Sequence, residues 1–479
     1  MDQAGVQRGA ALGTPVAKGV DVGSSGQDRD VTVVDERKAR RAVAAASIGN
    51  TMEWFDFGVY SYIAVVIGQV FFPAGNQVAQ LLATFATFAV AFVVRPLGGF
   101  VFGPLGDRFG RQRILAITML MMALGTFAIG VIPSYQTIGV WAPVLLLLAR
   151  LVQGFSTGGE YGGATTFVAE FSPDRRRGYM ASWLEFGTLL GYSLGAAVVT
   201  VLTALLPPED LLSWGWRIPF LAAAPLGVIG LYLRFRLEDT PAYSRHAEDE
   251  EAEQSTTFAV VPRLLRECLR PMLICVGLVM AFNVTNYTLT AFMPTYLSSV
   301  LGFAHTQSLV LALIAMVAVM GLIVVLGRFS DRLGRLPIAG AGSAGLILLS
   351  VPAFLLISMG SVPAVLGGLV LIGLLLVCFS STQPATLPAL FPTGIRYAGV
   401  SIGYNISVAV FGGTTPLLAE ALIAWTGLKM IPAVLLIVAG VVGAIALYAM
   451  REPAGKRLPG SPPTAGDQQE ARERAQEDD

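Results

Sequence analysis

Long apolar stretches separated by short charged segments run through most of this sequence, and they limit what it can fold into. Hydrophobic residues make up 54% of the chain and charged residues only 13%, whereas an ordinary soluble domain carries about 25% charged residues. A stretch of roughly 20 apolar residues is long enough to cross a membrane as a helix. Twelve such stretches are expected to span the membrane: residues 42–71, 78–102, 114–133, 140–168, 179–204, 216–236, 271–297, 307–327, 337–358, 363–389, 397–421 and 428–450.

A charged loop between these stretches occurs twice. Residues 103–113 read GPLGDRFGRQR and residues 327–335 read GRFSDRLGR, so both contain Gly-x-x-x-Asp-Arg-x-Gly-Arg. Self-similarity at a spacing near half the chain length indicates two related halves. We therefore predict an all-α membrane protein of twelve transmembrane helices, in two pseudo-symmetric six-helix bundles over residues 42–236 and 271–450.

Three polar segments lie outside these bundles. Residues 1–41 lack the apolar stretch of a signal peptide and are expected to form a disordered tail. Residues 237–270 are rich in acidic residues and form the central loop. Residues 451–479 are expected to form a second disordered tail, in which 467–479 could be briefly helical but have no apolar heptad seam.

Positive charge collects on one side of the predicted membrane. Segments that an even number of spans places together carry arginine clusters at 37–41, 108–113, 175–177 and 328–335. The opposite segments near 72–77, 133–139, 205–215 and 359–362 contain no lysine or arginine. Cytoplasmic loops carry the excess of positive charge, so both tails, the central loop and the repeated loops are expected to be cytoplasmic, in the inner membrane of a bacterium.

Several classes of protein are disfavoured by the composition. A formal net charge of zero gives no nucleic-acid signature. The cysteines Cys268, Cys275 and Cys378 and the histidines His246 and His305 show no metal-ligand spacing. No G-x-x-x-x-G-K-[ST] motif for ATP and no nucleophile constellation is present. We expect no enzyme activity, cofactor or metal, but a monomer in the lipid bilayer acting on a small molecule and a proton.

Ionisable residues inside the predicted spans define the candidate coupling site, because a charge at mid-membrane is costly and usually functional. A glutamate that exchanges an arginine for a proton would couple two fluxes, and Glu160 and Glu53 are the leading carriers, with Arg150 and Arg95 as partners. Permanent ion pairs that hold helices together are the alternative. The proton-coupling candidates, all in the first half, are Glu53, Asp56, Arg95, Arg150, Glu160 and Glu185.

Neutral polar and aromatic residues supply the candidate substrate site. The second half offers amides and hydroxyls but no mid-membrane carboxylate, so it would contribute hydrogen bonds and shape. Aromatic faces bind quaternary ammonium groups well, although ordinary packing is the alternative role for such rings. The substrate-binding candidates are Trp54, Tyr60, Gln153, Trp183, Asn283, Asn286, Tyr287, Gln383 and Asn405.

The repeated loop is the candidate cytoplasmic gate. Asp107 and Asp331 could accept charge-assisted hydrogen bonds from arginines and from a neighbouring helix N-terminus, latching the cytoplasmic ends together in one state. A plain loop that only follows the positive-inside rule is the alternative. The gate candidates are Gly103, Asp107, Arg108, Gly110, Arg111, Gly327, Asp331, Arg332, Gly334 and Arg335.

The same loops resemble the signature of the major facilitator superfamily, and LLLLARLVQGFSTGG at 145–159 resembles its fourth-helix motif. Other segments resemble the metabolite:proton symporter family, and within it the branch that carries proline and glycine betaine. These segments are 49–60 (GNTMEWFDFGVY), 95–99 (RPLGG), 158–161 (GGEY), 172–187, 214–220 (WGWRIPF), 282–287 (FNVTNY) and 387–397. The resemblance implies proton symport of a small zwitterionic osmolyte by alternating access.

Two other functions remain open at this point. Proton symport of a di- or tricarboxylate such as 2-oxoglutarate or citrate would suit Arg95 and Arg150. A non-transporting membrane sensor on a transporter scaffold would bind without flux. The superfamily resemblance also implies that the fifth span packs on the eighth, so Gly187, Gly191 and Gly195 are expected to form a sliding surface there or a static close contact.

Overall fold

The structure, a computed structural model, describes residues 31–73, 75–109, 111–222, 225, 266 and 268–477, and these are largely helical. The first half contains nine α-helices in the described residues: α1 (Glu36–Tyr62), α2 (Ala64–Phe71), α3 (Gln77–Phe109), α4 (Arg111–Val131), α5 (Tyr135–Ile138), α6 (Trp141–Thr157), α7 (Glu160–Phe171), α8 (Arg177–Leu205) and α9 (Pro208–Asp210). A 3₁₀ turn over Asp174–Arg176 precedes α8, and a π-helical turn over Leu211–Gly215 follows α9.

The described part of the second half continues the same pattern. Its α-helices are α10 (Leu269–Tyr287), α11 (Met293–Thr295), α12 (His305–Leu333), α13 (Arg335–Ser358), α14 (Val362–Ser380), α15 (Gln383–Thr386), α16 (Thr393–Ser407), α17 (Thr414–Thr426), α18 (Ile431–Tyr448) and α19 (Gln468–Glu477). Thr288–Phe292, Tyr296–Val300 and Val408–Gly412 are π-helical, and Pro388–Leu390 is a 3₁₀ turn. Two short strands, β1 (Thr32–Val33) and β2 (Thr464–Ala465), pair in parallel.

Within the described residues, eight helical segments are long and apolar enough to cross a membrane, and the bent pair α1–α2 makes a ninth. Every predicted span coincides with one described helix or with consecutive helical segments, except 216–236, of which only 216–222 and 225 are described. The predicted central loop 237–270 lies outside the described residues apart from 266 and 268–270. The predicted alternation of apolar spans and charged segments is therefore confirmed.

The first predicted span is not one straight helix. The axis bends by 65° between α1 and α2, at Ile63. Just before the bend the hydroxyl of Ser61 donates to the carbonyl of Gly58, 2.8 Å away. A serine that bonds back to the preceding turn competes with the helix ladder and often bends it.

Helices α3 and α6 approach each other closely enough for their backbones to touch. A Cβ atom added to Gly154 would lie 1.8 Å from the carbonyl oxygen of Ala91, and one added to Gly158 would lie 2.1 Å from that of Arg95. Only glycine permits such an approach. The contact fixes Arg95 of α3 beside Arg150 and the rest of α6.

The glycines of the fifth span face the first span, so the static close contact is confirmed and the sliding surface on the eighth span is not. Cβ atoms added to Gly187 and Gly191 would lie 2.5 and 2.4 Å from the carbonyl oxygens of Ser47 and Thr51 on α1. The four-residue spacing correctly indicates a close helix contact, but the spacing cannot identify the partner helix. The ladder is a contact inside the first half and not a sliding surface between the halves.

We call the end of the bundle that carries Arg175, Arg176, Arg328, Arg332 and Arg335 the arginine-rich end. The halves touch there and at the opposite end. At the arginine-rich end Arg396 pairs with Glu170 at 3.0 Å; at the opposite end the hydroxyls of Thr306 and Thr203 are 3.2 Å apart.

Parts of the two tails form regular secondary structure where they are described, whereas disorder was expected. Helix α1 begins at Glu36, inside the predicted tail 1–41, and β1 pairs with β2 of the C-terminal segment; residues 1–30 lie outside the described residues. The centre of this contact is the fully buried Asp174, which pairs with Arg177 and with Arg474, the latter at 2.6 Å. A buried carboxylate needs such partners, and they lie too far apart in sequence to form a local pattern.

Candidate functional site

A buried ion pair joins the first two spans. Arg95 of α3 donates to Glu53 of α1 at 3.0 Å, and neither side chain is more than 1% exposed. The guanidinium also lies over the rings of Phe92 and Phe57, with 4.6 and 4.7 Å to the ring centroids. The pair brings together two residues that the sequence assigned to proton coupling.

A chain of hydrogen bonds links the second arginine to a carboxylate. Arg150 donates to the Oε1 of Gln153 at 2.9 Å, Gln153 donates to the hydroxyl of Thr126 at 2.6 Å, and Thr126 donates to Asp56 at 2.7 Å. Arg150 also lies 4.2 Å from the ring centroid of Tyr60. The chain ties α6, α4 and α1 together, and Thr126 is a member that the sequence analysis missed.

A third carboxylate has a different environment. Glu185 of α8 accepts a hydrogen bond from the hydroxyl of Tyr161 on α7 at 2.5 Å. Among the residues that the structure describes, no arginine or lysine forms an ion pair with Glu185. The ring of Tyr161 stacks on that of Tyr404 at 3.8 Å with an interplanar angle of 14°. Glu160, at the start of α7, is buried as well.

Aromatic rings from both halves surround Trp54. Its ring centroid is 5.5 Å from that of Tyr192 on α8 and 5.9 Å from that of Tyr287 on α10. Its indole nitrogen donates to Asn50 at 3.0 Å, and Arg95 lies 5.5 Å from its centroid. The aromatic candidates Trp54 and Tyr287 therefore lie at the junction of the halves, beside the ion pair, and Tyr192 joins them.

The second half contributes buried amides. The side-chain oxygen and nitrogen of Asn283 and of Gln383, and the side-chain nitrogen of Asn286, have no hydrogen-bond partner among the described residues. Each unpaired buried polar group costs about 1–3 kcal/mol. Such groups on α10 and α15 are suited to bind a polar ligand between the halves.

Two of the substrate candidates have other surroundings. Trp183 packs on Phe186, with 5.1 Å between ring centroids, in a cluster near the start of α1. It lies two residues before Glu185, and positions two apart point to different sides of a helix. Asn405 donates to the carbonyls of Gly158 and Ser401 at 2.5 and 2.8 Å, so its amide nitrogen holds α16 to the first half.

The second copy of the repeated loop contacts the first half. Asp331 accepts hydrogen bonds from the backbone nitrogens of Gly178 and Tyr179, at the start of α8, at 2.7 and 2.8 Å. Gly334 has a φ of +98° between α12 and α13, a conformation that favours glycine. Arg335 donates to the carbonyl of Ala385 at 2.8 Å.

Of the other gate candidates, the structure describes the surroundings of some and leaves the side chains of others undescribed. Gly327 packs closely on Ser182, and Arg332 is exposed. In the first copy Gly110 lies outside the described residues, and so do the side chains of Asp107, Arg108 and Arg111; Gly103 is described only as backbone of α3.

Two helical halves that enclose charged, amide and aromatic side chains have the architecture of a secondary membrane transporter. Residues 46–413 match the Major Facilitator Superfamily. The chain belongs to this superfamily, and it is a multi-pass membrane transporter and not an enzyme.

Several relatives carry names that describe a substrate. The chain is 47% identical over 450 residues to the proline/betaine transporter of Escherichia coli strain K12, covering 93% of this chain and 90% of that protein. It is 46% identical over 453 residues to the glycine betaine/proline/ectoine/pipecolic acid transporter of Dickeya dadantii, covering 94% and 90%. The solved structure of a proton:xylose symporter bound to 6-bromo-6-deoxy-D-glucose has a TM-score of 0.73 and 18% identity, covering 88% of this chain and 98% of that one; it supports the fold alone.

Proposed function

We propose that the protein carries a small zwitterionic osmolyte of the proline or glycine betaine type together with a proton, by alternating access. The names of its relatives support this substrate class. The observation that carries the proposal is the buried Glu53–Arg95 pair at 3.0 Å next to the rings of Trp54 and Tyr287. This arrangement offers a cation for a carboxylate and aromatic faces for an ammonium group.

The ion pair gives a means of coupling. The carboxylate of the substrate competes with Glu53 for Arg95, because the planar guanidinium binds either carboxylate. A buried Glu53 that loses Arg95 is strongly destabilised as an anion, so it takes up a proton. Substrate and proton then occupy the site together, and neither is favoured there without the other.

The orientation of the protein in the membrane is proposed from the distribution of charge. We place the arginine-rich end and both tails on the cytoplasmic side of a bacterial inner membrane, in accord with the positive-inside rule. Asp331, bound to the start of α8, then acts as part of the cytoplasmic gate. The two halves of a single chain suffice for this mechanism, so we propose a functional monomer.

Symport of a di- or tricarboxylate is the second candidate, favoured by one observation. Two donor nitrogens of Arg95 and two of Arg150 have no hydrogen-bond partner among the described residues. Against it, the buried carboxylates Glu53, Asp56 and Glu185 outnumber these two arginines, so the site has no cationic surplus for a dianion.

Uptake into proteoliposomes distinguishes the two substrates. We expect an imposed inward proton gradient to drive accumulation of labelled glycine betaine and not of 2-oxoglutarate. Accumulation of 2-oxoglutarate alone would reject the osmolyte proposal and make Arg95 and Arg150 its anion ligands. Saturable binding of betaine without any flux would favour a sensor.

A further inference from the structure

Tyr161 and Tyr404 form a ring pair between the two halves that the mechanism above does not use. Tyr161 belongs to α7 in the first half and Tyr404 to α16 in the second. Their ring centroids are 3.8 Å apart, the planes are nearly parallel, and neither residue is more than 2% exposed. Tyr161 ends the GGEY segment at 158–161, but the sequence analysis gave neither ring a role.

The pair lies on a boundary that must part if the arginine-rich end is to open. Next to the rings, the hydroxyl of Tyr397 donates to the carbonyl of Gly159 at 2.9 Å. A Cβ atom added to Gly162 would lie 2.0 Å from the hydroxyl of Ser401. Helices α7 and α16 are thus in direct contact, and the stacked rings are part of that contact.

Tyr161 also binds a carboxylate. Its hydroxyl donates to Glu185 at 2.5 Å, and a hydrogen bond to an ionised acceptor is roughly twice as strong as a neutral one. Thr188 on the same helix is the other hydrogen-bonding group near Glu185, and from α1 Asn50 bonds to Thr188. The hydroxyl of Tyr404 has no hydrogen-bond partner among the described residues.

Two further charged side chains, Glu53 and Arg95, lie near this cluster. Glu53 and Arg95 interact electrostatically with the hydroxyl of Tyr404, while their own ion pair lies on α1 and α3. Among the described residues, Tyr161 is the titratable group that forms a direct hydrogen bond with Glu185. The geometry makes Tyr161 the link between this carboxylate and the second half.

We propose that Tyr161 and Tyr404 are a positioning pair that makes opening of the α7–α16 boundary depend on protonation of Glu185. Ionised Glu185 holds the hydroxyl of Tyr161 and keeps its ring on Tyr404. Protonated Glu185 loses the charge-assisted bond, and the ring is free to leave its partner as the halves separate. The inference rests on the proposed proton coupling and adds the residues through which the proton acts on the other half.

Distances measured between the two halves, in the absence of substrate, test whether opening of the α7–α16 boundary depends on protonation of Glu185. Spin labels would be attached at Arg41→Cys and Arg328→Cys, two exposed positions in opposite halves at the arginine-rich end, in a chain with Cys378→Ser and reconstituted in nanodiscs. Double electron–electron resonance then gives the distribution of distances as a function of pH. In the labelled protein with Tyr161, Glu185 and Tyr404 unchanged, we expect the fraction of molecules with the longer distance between the labels to rise as pH falls.

The variants distinguish the contribution of each tyrosine's hydroxyl from that of its aromatic ring. Tyr161→Phe keeps the ring and removes the bond to Glu185, so we expect a distribution that no longer changes with pH, as for Glu185→Gln. The charge-assisted bond corresponds to a shift of roughly tenfold or more in the ratio of the two populations. Tyr404→Phe keeps the stacked ring and is the matched control; it should follow the unsubstituted site. Tyr404→Leu removes the stack and should favour separation at every pH.

Three results of the distance measurements would contradict the inference. The inference is overturned if the unsubstituted distribution is independent of pH, if Tyr161→Phe keeps its pH dependence, or if Tyr404→Phe loses it. These measurements need no transport, so they stand apart from the proposed function. Absence of betaine uptake alongside the expected distances would reject the proposed substrate and leave the role of Tyr161 intact.

Discussion

Glu53 on α1 and Arg95 on α3 are 3.0 Å apart in the interior of the first half, and the two side chains are almost wholly removed from solvent. Removing one member of a buried pair costs about 3–5 kcal/mol, because the other is left as an uncompensated charge. Replacement of either residue therefore affects both the stability of the protein and its proton coupling. A substitution that keeps the size of the side chain distinguishes the effect on coupling from the effect on stability.

Glu53→Gln keeps the size of the side chain and removes its negative charge. We expect gradient-driven accumulation of betaine to be lost, since the side chain no longer exchanges Arg95 for a proton. Exchange of labelled for unlabelled betaine in the absence of a gradient should persist. Loss of both activities with a marked fall in thermal stability would indicate a structural ion pair instead.

Arg95→Lys tests the geometry of the same pair. Lysine keeps the charge but lacks the planar fork of the guanidinium and its stacking on Phe92 and Phe57. We expect the KM for betaine to rise by about tenfold or more, as for loss of one charged hydrogen bond. A variant with an unchanged KM would show that Arg95 does not bind the substrate.

Trp54 tests the aromatic part of the proposed site. Trp54→Phe should retain partial betaine uptake, because a smaller aromatic face remains, and Trp54→Ala should lose most of it. Trp183→Ala is the control, since that ring packs elsewhere with Phe186. Equal uptake by the two Trp54 variants would exclude binding through the aromatic face.

Asn283→Leu tests whether the unpaired amides serve function at the expense of stability. Both polar atoms of this side chain are buried without partners among the described residues, so an apolar side chain of similar size should raise stability by about 1–3 kcal/mol. We expect a higher melting temperature together with weaker betaine binding. A variant that melts lower and binds normally would assign Asn283 to packing.

The docked C-terminal segment predicts a stability effect at a single residue. Arg474→Ala leaves the buried Asp174 with fewer partners and should cost up to about 3–5 kcal/mol, measured by thermal unfolding in detergent. Arg472→Ala, at an exposed position of the same helix, should have little effect. Equal melting temperatures for the two variants would mean that the segment is not held as described.

The fold could be predicted from the sequence because the patterns that specify it extend over many residues. Spans of some 20 apolar residues and a repeated loop predict two helical halves, and the superfamily match and the solved structure confirm this architecture. The bend at Ile63 was missed, because a serine hydroxyl that bonds to its own helix leaves no mark in the apolar pattern. The contact between the tail and Asp174 was missed because Asp174 and Arg474 are isolated residues far apart in the chain.

The candidate site was only partly predictable. Buried charges need partners, so an arginine in one span points to a carboxylate in another, as with Arg95 and Glu53. Thr126 gave no such signal, since threonines in helices commonly bond to their own backbone, as Thr84 does with Gln80. The contact between Tyr161 and Tyr404 was not predicted, because aromatic residues in membrane helices usually serve only in packing. The stacking of two rings from different halves can be seen only in the structure.

Coupling of proton to substrate through Glu53 is tested by measuring the proton movement that accompanies uptake. A pH electrode outside proteoliposomes would record the response to added glycine betaine, in the unsubstituted protein and in Glu53→Gln. We expect betaine to make the external medium more alkaline with the unsubstituted protein, and Glu53→Gln to give no change although it still exchanges betaine. Betaine uptake without alkalinisation, or alkalinisation that survives Glu53→Gln, would contradict it.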